Sequence, residues 1–446
     1  MSEKKWFGVV EGFYGRPWTS AERCELYAWM NDTGTLSTYM YAPKDDLLHR
    51  GRWRELYSEA EAAALADAIR MTREADIRFV YSIAPGLDMC YTSEADRSVL
   101  LAKIDQIASF GCTEFAILFD DIPESLSEAD AKKFRSFAHA QAYVANLVYD
   151  HLQQSLEDPA LLFCPTIYCA RMADPDVAND AYLNELGTEL NPEIAFLWTG
   201  PNVISETISV ESIRELAGVI KRKPVIWDNI HANDYDNRRY FAGSYAGRPL
   251  ELKNEILGIL TNPNCQFQLN YIPIHSLGQY LATDSDWNPR ENYLELLEAF
   301  RERHGFTHAD ATSTDITLLT DLFYLPYEFG DTAQELLDTI DFLFSNEPND
   351  WGERYASFLD KMQQCEKVLA ELNNITNREM LYALYGPVWM LREELGLTHK
   401  VLEWKANGSK GECTTVYHLP KTYRGAVTDR LQKYFHLDDD GVFKLW

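Results

Sequence analysis

The chain has 446 residues and a formal net charge of −28, with 46% hydrophobic and 13% aromatic residues. Such a length calls for two domains, and such an apolar content fills a large core. So acidic a surface repels nucleic acid and anionic membranes, which removes both from the expected partners.

The first apolar run, Trp6–Val10, stops at Glu11 and is too short for a secretory leader. No later stretch is long and apolar enough to span a bilayer. Eight cysteines form no dense framework; Cys90, Cys164, Cys169 and Cys265 stand in apolar runs as small buried hydrophobes. A reducing, cytoplasmic setting is therefore expected.

Short apolar runs follow at barrel-like intervals: Phe7–Gly12, Leu36–Ala42, Ile77–Ala84, Glu114–Asp121, Leu161–Tyr168, Ile194–Gly200, Pro224–Ile230 and Cys265–Ile272. Helical patterns separate them, among them Ser58–Ala75 and Glu128–Leu156. Eight strand–helix units predict a (β/α)8 TIM barrel over residues 1–287. Phe115–Phe119 is apolar throughout, as a strand buried on both faces must be. Beyond Asn288 only helical periodicity remains, in Glu291–His304, Asp315–Leu325, Thr332–Phe344, Trp351–Asn373 and Arg378–Lys405, with a loop at Asn407–Gly411. Residues 288–446 are expected to form a smaller, mostly α-helical C-terminal domain.

Barrels of this kind place their chemistry at the C-terminal ends of the strands. Here seven of those ends carry polar or aromatic groups. They include Gly12 and Tyr14, Lys44 with Asp45 and Asp46, Asp120 and Asp121, Tyr168, Thr199, Trp227 with Asn229 and Asp234, and Asn270. A lone strand-end carboxylate often only caps a helix, and Asp45 and Asp46 fit that role. A lone aromatic is commonly core. Aromatics interleaved with Asn and Asp at a barrel mouth also suit a sugar, whose C–H faces stack on rings and whose hydroxyls pair with amides and carboxylates.

The adjacent carboxylates of Asp120 and Asp121 follow an apolar strand. Two neighbouring anions there are expected to titrate as a pair with one member raised, which would make a competent general acid. Metal binding is the other use of such a pair. The ten histidines, however, show no His-x-His or HExxH spacing, and only His231 stands among strand-end carboxylates. No Walker loop, dinucleotide turn or nucleophile elbow is present. Neither metal nor cofactor is expected.

Seven stretches carry a resemblance. They are Gly8-Val-Val-Glu-Gly-Phe-Tyr-Gly-Arg-Pro-Trp18, Tyr41-Ala-Pro-Lys-Asp-Asp46, Leu118-Phe-Asp-Asp-Ile122, Cys164-Pro-Thr-Ile-Tyr-Cys169, Leu197-Trp-Thr-Gly-Pro201, Val225-Ile-Trp-Asp-Asn-Ile-His-Ala-Asn-Asp-Tyr-Asp236 and Leu260-Thr-Asn-Pro-Asn-Cys265. In order and content they resemble glycoside hydrolase family 84, which holds protein O-GlcNAcases and related bacterial β-N-acetylglucosaminidases. The likeness is nearest to compact bacterial members with a short helical C-terminal part, and no domain is expected ahead of the barrel.

The resemblance implies roles by position. Asp120 would orient the substrate's acetamido N–H, and Asp121 would act as general acid, then base. Gly12 and Lys44 would meet the 3-hydroxyl region, and Asp234 and Asn270 the 4- and 6-hydroxyls. Tyr168, Thr199, Trp227 and Asn229 would enclose the acetyl group. Ile167 stands where the family usually has an acidic residue. It and the loop Ala170–Asp176 either face the aglycone or, for Ile167, belong to the core.

The physical logic agrees. Most retaining glycosidases place acid and nucleophile on separate elements about 5 Å apart. Sequence neighbours suit instead a substrate whose own acetamide oxygen attacks C1 to form an oxazoline. The implied activity is exo-removal of β-O-linked GlcNAc from Ser or Thr of proteins. The alternatives are an exo-hexosaminidase of free oligosaccharides and, in a different class, a non-catalytic carbohydrate-binding protein, whose mark would be loss of one aspartate.

Overall fold

A computed structural model describes residues 4–236, 238–303, 313–409, 413, 426–438 and 443–445. The chain start at Met1, the helix end expected at His304 and the loop end at Lys410 and Gly411 lie outside the described residues.

Eight parallel strands close into a barrel in sequence order. They are β1 (Trp6–Glu11), β2 (Thr38–Tyr41), β3 (Arg78–Ile83), β4 (Glu114–Leu118), β5 (Ala160–Cys164), β6 (Ala195–Trp198), β7 (Pro224–Asp228) and β8 (Gly258–Thr261). The inward residues Val10, Met40, Val80, Ala116, Leu118, Leu162, Leu197, Val225 and Leu260 form one buried cluster. Burying a side chain of this size contributes roughly 1.5–3 kcal/mol, so the interior is a packed core on which the strand ends stand.

Helices cover the outside: α1 (Ser20–Thr33), α2 (Glu59–Glu74), α3 (Glu94–Ser109), α4 (Glu128–Lys133), α5 (Phe137–Ser155), α6 (Ala181–Glu189), α7 (Val210–Ile220) and α8 (Tyr271–Ala282). Helix α2 starts where Ser58 predicts, because Glu61 accepts bonds from both the Ser58 amide, at 2.9 Å, and its hydroxyl, at 2.6 Å. The single helix expected over Glu128–Leu156 is two. Phe134 is extended, and Ser136 caps a fresh start by accepting the His139 amide at 3.0 Å.

The eighth strand corrects the sequence reading. Cys265–Ile272 is not a strand: it holds a 3-10 turn, Phe267–Asn270, that runs into α8. Cys265, Phe267, Leu269 and Tyr271 alternate with polar residues and imitate a strand's period of two. The true strand is Gly-Ile-Leu-Thr, with only two apolar residues in its run, so it offers neither an alternation nor a long apolar run to read. It opens on Gly258, where an added Cβ would lie 2.0 Å from the Trp6 carbonyl oxygen.

The described chain divides into two compact units. The barrel unit runs to Asp234 and includes Tyr245–Cys265 and Ile274–Trp287; the second holds Tyr235–Ser244, Gln266–Pro273 and the residues from Asn288 onward. The second unit contains α9 (Pro289–Arg303), α10 (Ser313–Asp321), α11 (Asp331–Ser345), α12 (Glu353–Leu372), α13 (Arg378–Ala406) and α14 (Ala426–Leu431). Leu318, Leu336, Ile340, Phe358, Val368 and Leu391 supply its core. Arg290 grips Asp321 through two bonds of 2.7 and 2.9 Å. Lys405 donates to the Phe344 and Asn346 carbonyls, both at 2.7 Å, and so caps the C-terminal end of α11. Among the described residues no helix is long and apolar enough to cross a membrane.

Candidate active site

At the end of β4 the chain passes through Phe119 to Asp120 and then turns sharply, because Asp121 takes a left-handed φ of 52°. Few side chains accept that conformation, and Asp is among those that do. The turn sends two successive carboxylates into different surroundings.

Asp120 faces cations. Its Oδ2 lies 2.7 Å from Lys44 Nζ and 3.6 Å from Arg50 Nη1. Burial pushes its carboxyl up, but Lys44 and Arg50 outweigh that and hold it below the ordinary carboxylate range. Asp120 is therefore not the raised member of the pair, because the opposite charges of Lys44 and Arg50 offset its burial. Its Oδ1 is buried and has no hydrogen-bond partner among the described residues.

Asp121 faces phenols and is exposed. Its Oδ1 accepts from Tyr168 at 2.8 Å and its Oδ2 from Tyr14 at 3.2 Å. Burial raises both phenols above their usual range, so they remain protonated donors.

Lys44 Nζ sits between two rings, 5.8 Å from the centre of Tyr14 and 5.9 Å from that of Trp227. Gly12 makes room for this floor, since a Cβ there would fall 2.3 Å from the Trp227 ring. Asn229 accepts from Trp227 Nε1 at 3.0 Å and from Asn262 at 2.9 Å, and donates to the Val203 carbonyl at 2.7 Å. Its side chain thus fixes the indole. The Thr199 amide donates to the Tyr168 carbonyl at 2.9 Å and its hydroxyl to the Asn202 carbonyl at 2.8 Å, joining the ends of β5 and β6. Asp234 Oδ2 accepts the Tyr14 amide at 2.9 Å, joining the loops after β1 and β7. Ile167 is buried and packs as core. The Ala170–Met172 turn ties to the loop after β6 through bonds of 3.0 and 2.9 Å to the Gly200 and Pro201 carbonyls.

The geometry thus gathers Gly12, Lys44, Asp120, Asp121, Tyr168, Thr199, Trp227, Asn229 and Asp234 within the barrel unit. Asn270 belongs to the second unit, where it is buried and its amide donates to the Gln266 carbonyl at 3.3 Å. Asp46 is structural: its Oδ1 accepts the Leu48 and His49 amides and its Oδ2 the Tyr41 and Tyr57 hydroxyls.

Sequence reasoning missed two residues of this neighbourhood. Arg50 stands six positions past Lys44 on the same loop, a spacing that could have singled it out. Glu11 is wholly buried. It accepts the Trp18 amide at 3.0 Å, two Arg23 bonds of 2.9 and 2.8 Å and the Tyr39 hydroxyl, and so anchors the loop that carries Gly12 and Tyr14. Among the described residues no group of three or more His, Cys, Asp or Glu side chains is placed to hold a metal ion.

The sequence profile of the β-N-acetylglucosaminidases matches residues 7–314. The protein O-GlcNAcases of Mus musculus and Rattus norvegicus are each 50% identical over 277 residues, 62% of this chain. The chain spans about 30% of the length of those relatives. A mutant form of the O-GlcNAc hydrolase of Thermobaculum terrenum has a similar structure, with a TM-score of 0.78 and 25% identity, covering 92% of this chain and 86% of that one. The chain belongs to the β-N-acetylglucosaminidase family, glycoside hydrolase family 84.

Proposed function

We propose that this chain is a retaining exo-β-N-acetylglucosaminidase that removes single O-linked GlcNAc residues from Ser and Thr of proteins. The observation that carries the reading is the divergence of Asp120 and Asp121. One carboxylate is held ionised with an oxygen to spare, and its neighbour is turned toward phenols and solvent.

In this reading the substrate's acetamide oxygen attacks C1 while Asp121 gives its proton to the departing oxygen. The amide nitrogen gains positive charge as the ring closes. The Asp120 carboxylate, with Oδ1 free to accept the N–H, stabilises that charge in place. Asp121 then takes a proton from water as it opens the oxazoline, and the second inversion restores the β-anomer. Trp227, Tyr168 and Thr199 border the acetyl group, with Asn229 holding the indole. Gly12 and Lys44 meet the 3-hydroxyl side, and Asp234 the 4- and 6-hydroxyls. A sugar met on all these sides is closed at its non-reducing end, so cleavage is exo.

The protein target rests on the relatives, which are themselves protein O-GlcNAcases. The cytoplasmic setting rests on cysteine usage: Cys112, Cys164 and Cys169 are buried as small hydrophobes, as suits a reducing compartment.

Following the product anomer by NMR tests the reading on an aryl β-N-acetylglucosaminide: the β-anomer is expected first. A trifluoroacetyl group in place of the acetyl weakens the attacking oxygen and should lower kcat. An unchanged kcat would assign the attack to the enzyme instead. Preference for chitobiose over an O-GlcNAc peptide by tenfold or more would move the target to free oligosaccharides.

A further inference from the structure

We propose that Arg50 is a positioning residue that holds the two aspartates apart by binding one through its side chain and the other through its backbone. The inference rests on the roles proposed above for Asp120 and Asp121.

The geometry is specific. Arg50 Nη2 donates to the backbone carbonyl of Asp121 at 3.1 Å. Its Nη1 lies 3.6 Å from Asp120 Oδ2, is buried, and has no hydrogen-bond partner among the described residues. The guanidinium is planar, with its two terminal nitrogens in a fixed fork. Fixing one nitrogen on the Asp121 peptide therefore fixes the other beside Asp120.

That peptide needs holding. Asp121 sits in the left-handed region, a conformation that persists only when its surroundings over-determine it. If the Asp121 peptide relaxed, its carboxyl would leave Tyr14 and Tyr168, and the proton donor would lose its aim. Lys44 cannot do this work. It is a point charge at 2.7 Å on the far partner alone, whereas Arg50 touches both. Nη1 at 3.6 Å is too long for a hydrogen bond, which leaves room for it to close on Asp120 when the nitrogen of the acetamide draws that carboxylate's charge.

The test compares Arg50→Gln and Arg50→Lys with the wild-type enzyme on aryl β-N-acetylglucosaminides of graded leaving ability. Lysine keeps the charge beside Asp120 but cannot reach both groups. Glutamine loses the charge.

Both variants should lower kcat on the order of tenfold to a hundredfold, the cost of a misplaced reacting group, with KM nearly constant. The loss should be greatest for poor leaving groups, which depend on the Asp121 proton. Only Arg50→Gln should move the acid limb of kcat/KM to higher pH, because removing a cation raises the Asp120 carboxyl. The other groups around that carboxyl are Lys44, His49, Tyr14, Cys164, Tyr168 and the neighbouring Asp121, and both variants retain them.

A merely structural Arg50 would lower Tm and leave the leaving-group slope and the acid limb where they were, and that result overturns the proposal. So does a wild-type kcat in Arg50→Lys, which still decides the matter if Arg50→Gln fails to fold. An inactive wild-type enzyme would instead overturn the proposed function.

Discussion

Two strand ends of this barrel each carry an aspartate paired with a buried cation at 2.7 Å, and they do different things. At the end of β7, Asp228 meets Arg248, and neither side chain is exposed at all. Arg248 Nη2 and the Ile230 amide satisfy Oδ1, while Arg248 Nε and the Tyr245 hydroxyl satisfy Oδ2. At the end of β4, Asp120 meets Lys44, and one carboxylate oxygen has no protein partner among the described residues. The first pair is closed and serves the fold. The second is left one bond short, the bond that the proposed mechanism gives to a substrate amide.

The same substitution at both positions sharpens the contrast. Asp228→Asn should leave the Arg248 guanidinium buried without its counter-charge, at a cost of about 3–5 kcal/mol. We expect a large fall in Tm, with the molecules that remain folded keeping their turnover. Asp120→Asn should cut kcat on the order of 10²–10³-fold and lower Tm less, because the amide oxygen still accepts from Lys44. Equal falls in Tm would break the comparison.

Lys44→Met removes the cation together with its 2.7 Å bond to Asp120, and its pH profile isolates the effect on that carboxyl. Asp120 is held below the ordinary range, so in the wild type it stays ionised, and its pairing contributes stability, above its unfolded value and down through the normal carboxylate range. That contribution is lost as pH falls through the depressed value. Without Lys44 the loss should begin at higher pH, and the acid limb of kcat/KM should shift upward. An unmoved limb would mean that Lys44 does not set the Asp120 charge.

The smallest effects separate the two phenols on Asp121. Tyr168→Phe removes a 2.8 Å, partly buried bond to a carboxylate and should cost about 1.5–3 kcal/mol in kcat/KM. Tyr14→Phe removes a 3.2 Å bond at an exposed ring and should cost about 1 kcal/mol, roughly fivefold. The reverse order would place the working position of Asp121 nearer Tyr14.

The legible part of this molecule was the part that repeats or clusters. Strand runs buried on both faces gave the barrel, and the crowding of polar groups at the strand ends gave its working face. Gly258–Thr261 escaped because Gly258 and Thr261 leave only Ile259 and Leu260 as an apolar run, while the Cys265–Tyr271 alternation imitated a strand. What holds Asp120 ionised escaped for another reason. The decisive partners come from the loop after β2, and no local pattern reports a contact with residues about 70 positions away. The bond by which Asn229 fixes Trp227 was not legible in the sequence either, since the spacing of the two residues says nothing of where their side chains turn.

The loops at the barrel mouth are also stitched to one another. Loop 1 is joined to loop 7 by Tyr14 and Asp234, loop 2 to loop 4 by Lys44 and Arg50, loop 5 to loop 6 through Gly200 and Pro201, and loops 1 and 5 to loop 4 through the Tyr14 and Tyr168 hydroxyls on Asp121. Anyone grafting specificity from one relative onto another would therefore do better to exchange the tied loops together. A loop moved alone arrives without the atom it ties to, and the chimaera would inherit a frayed rim rather than a new preference.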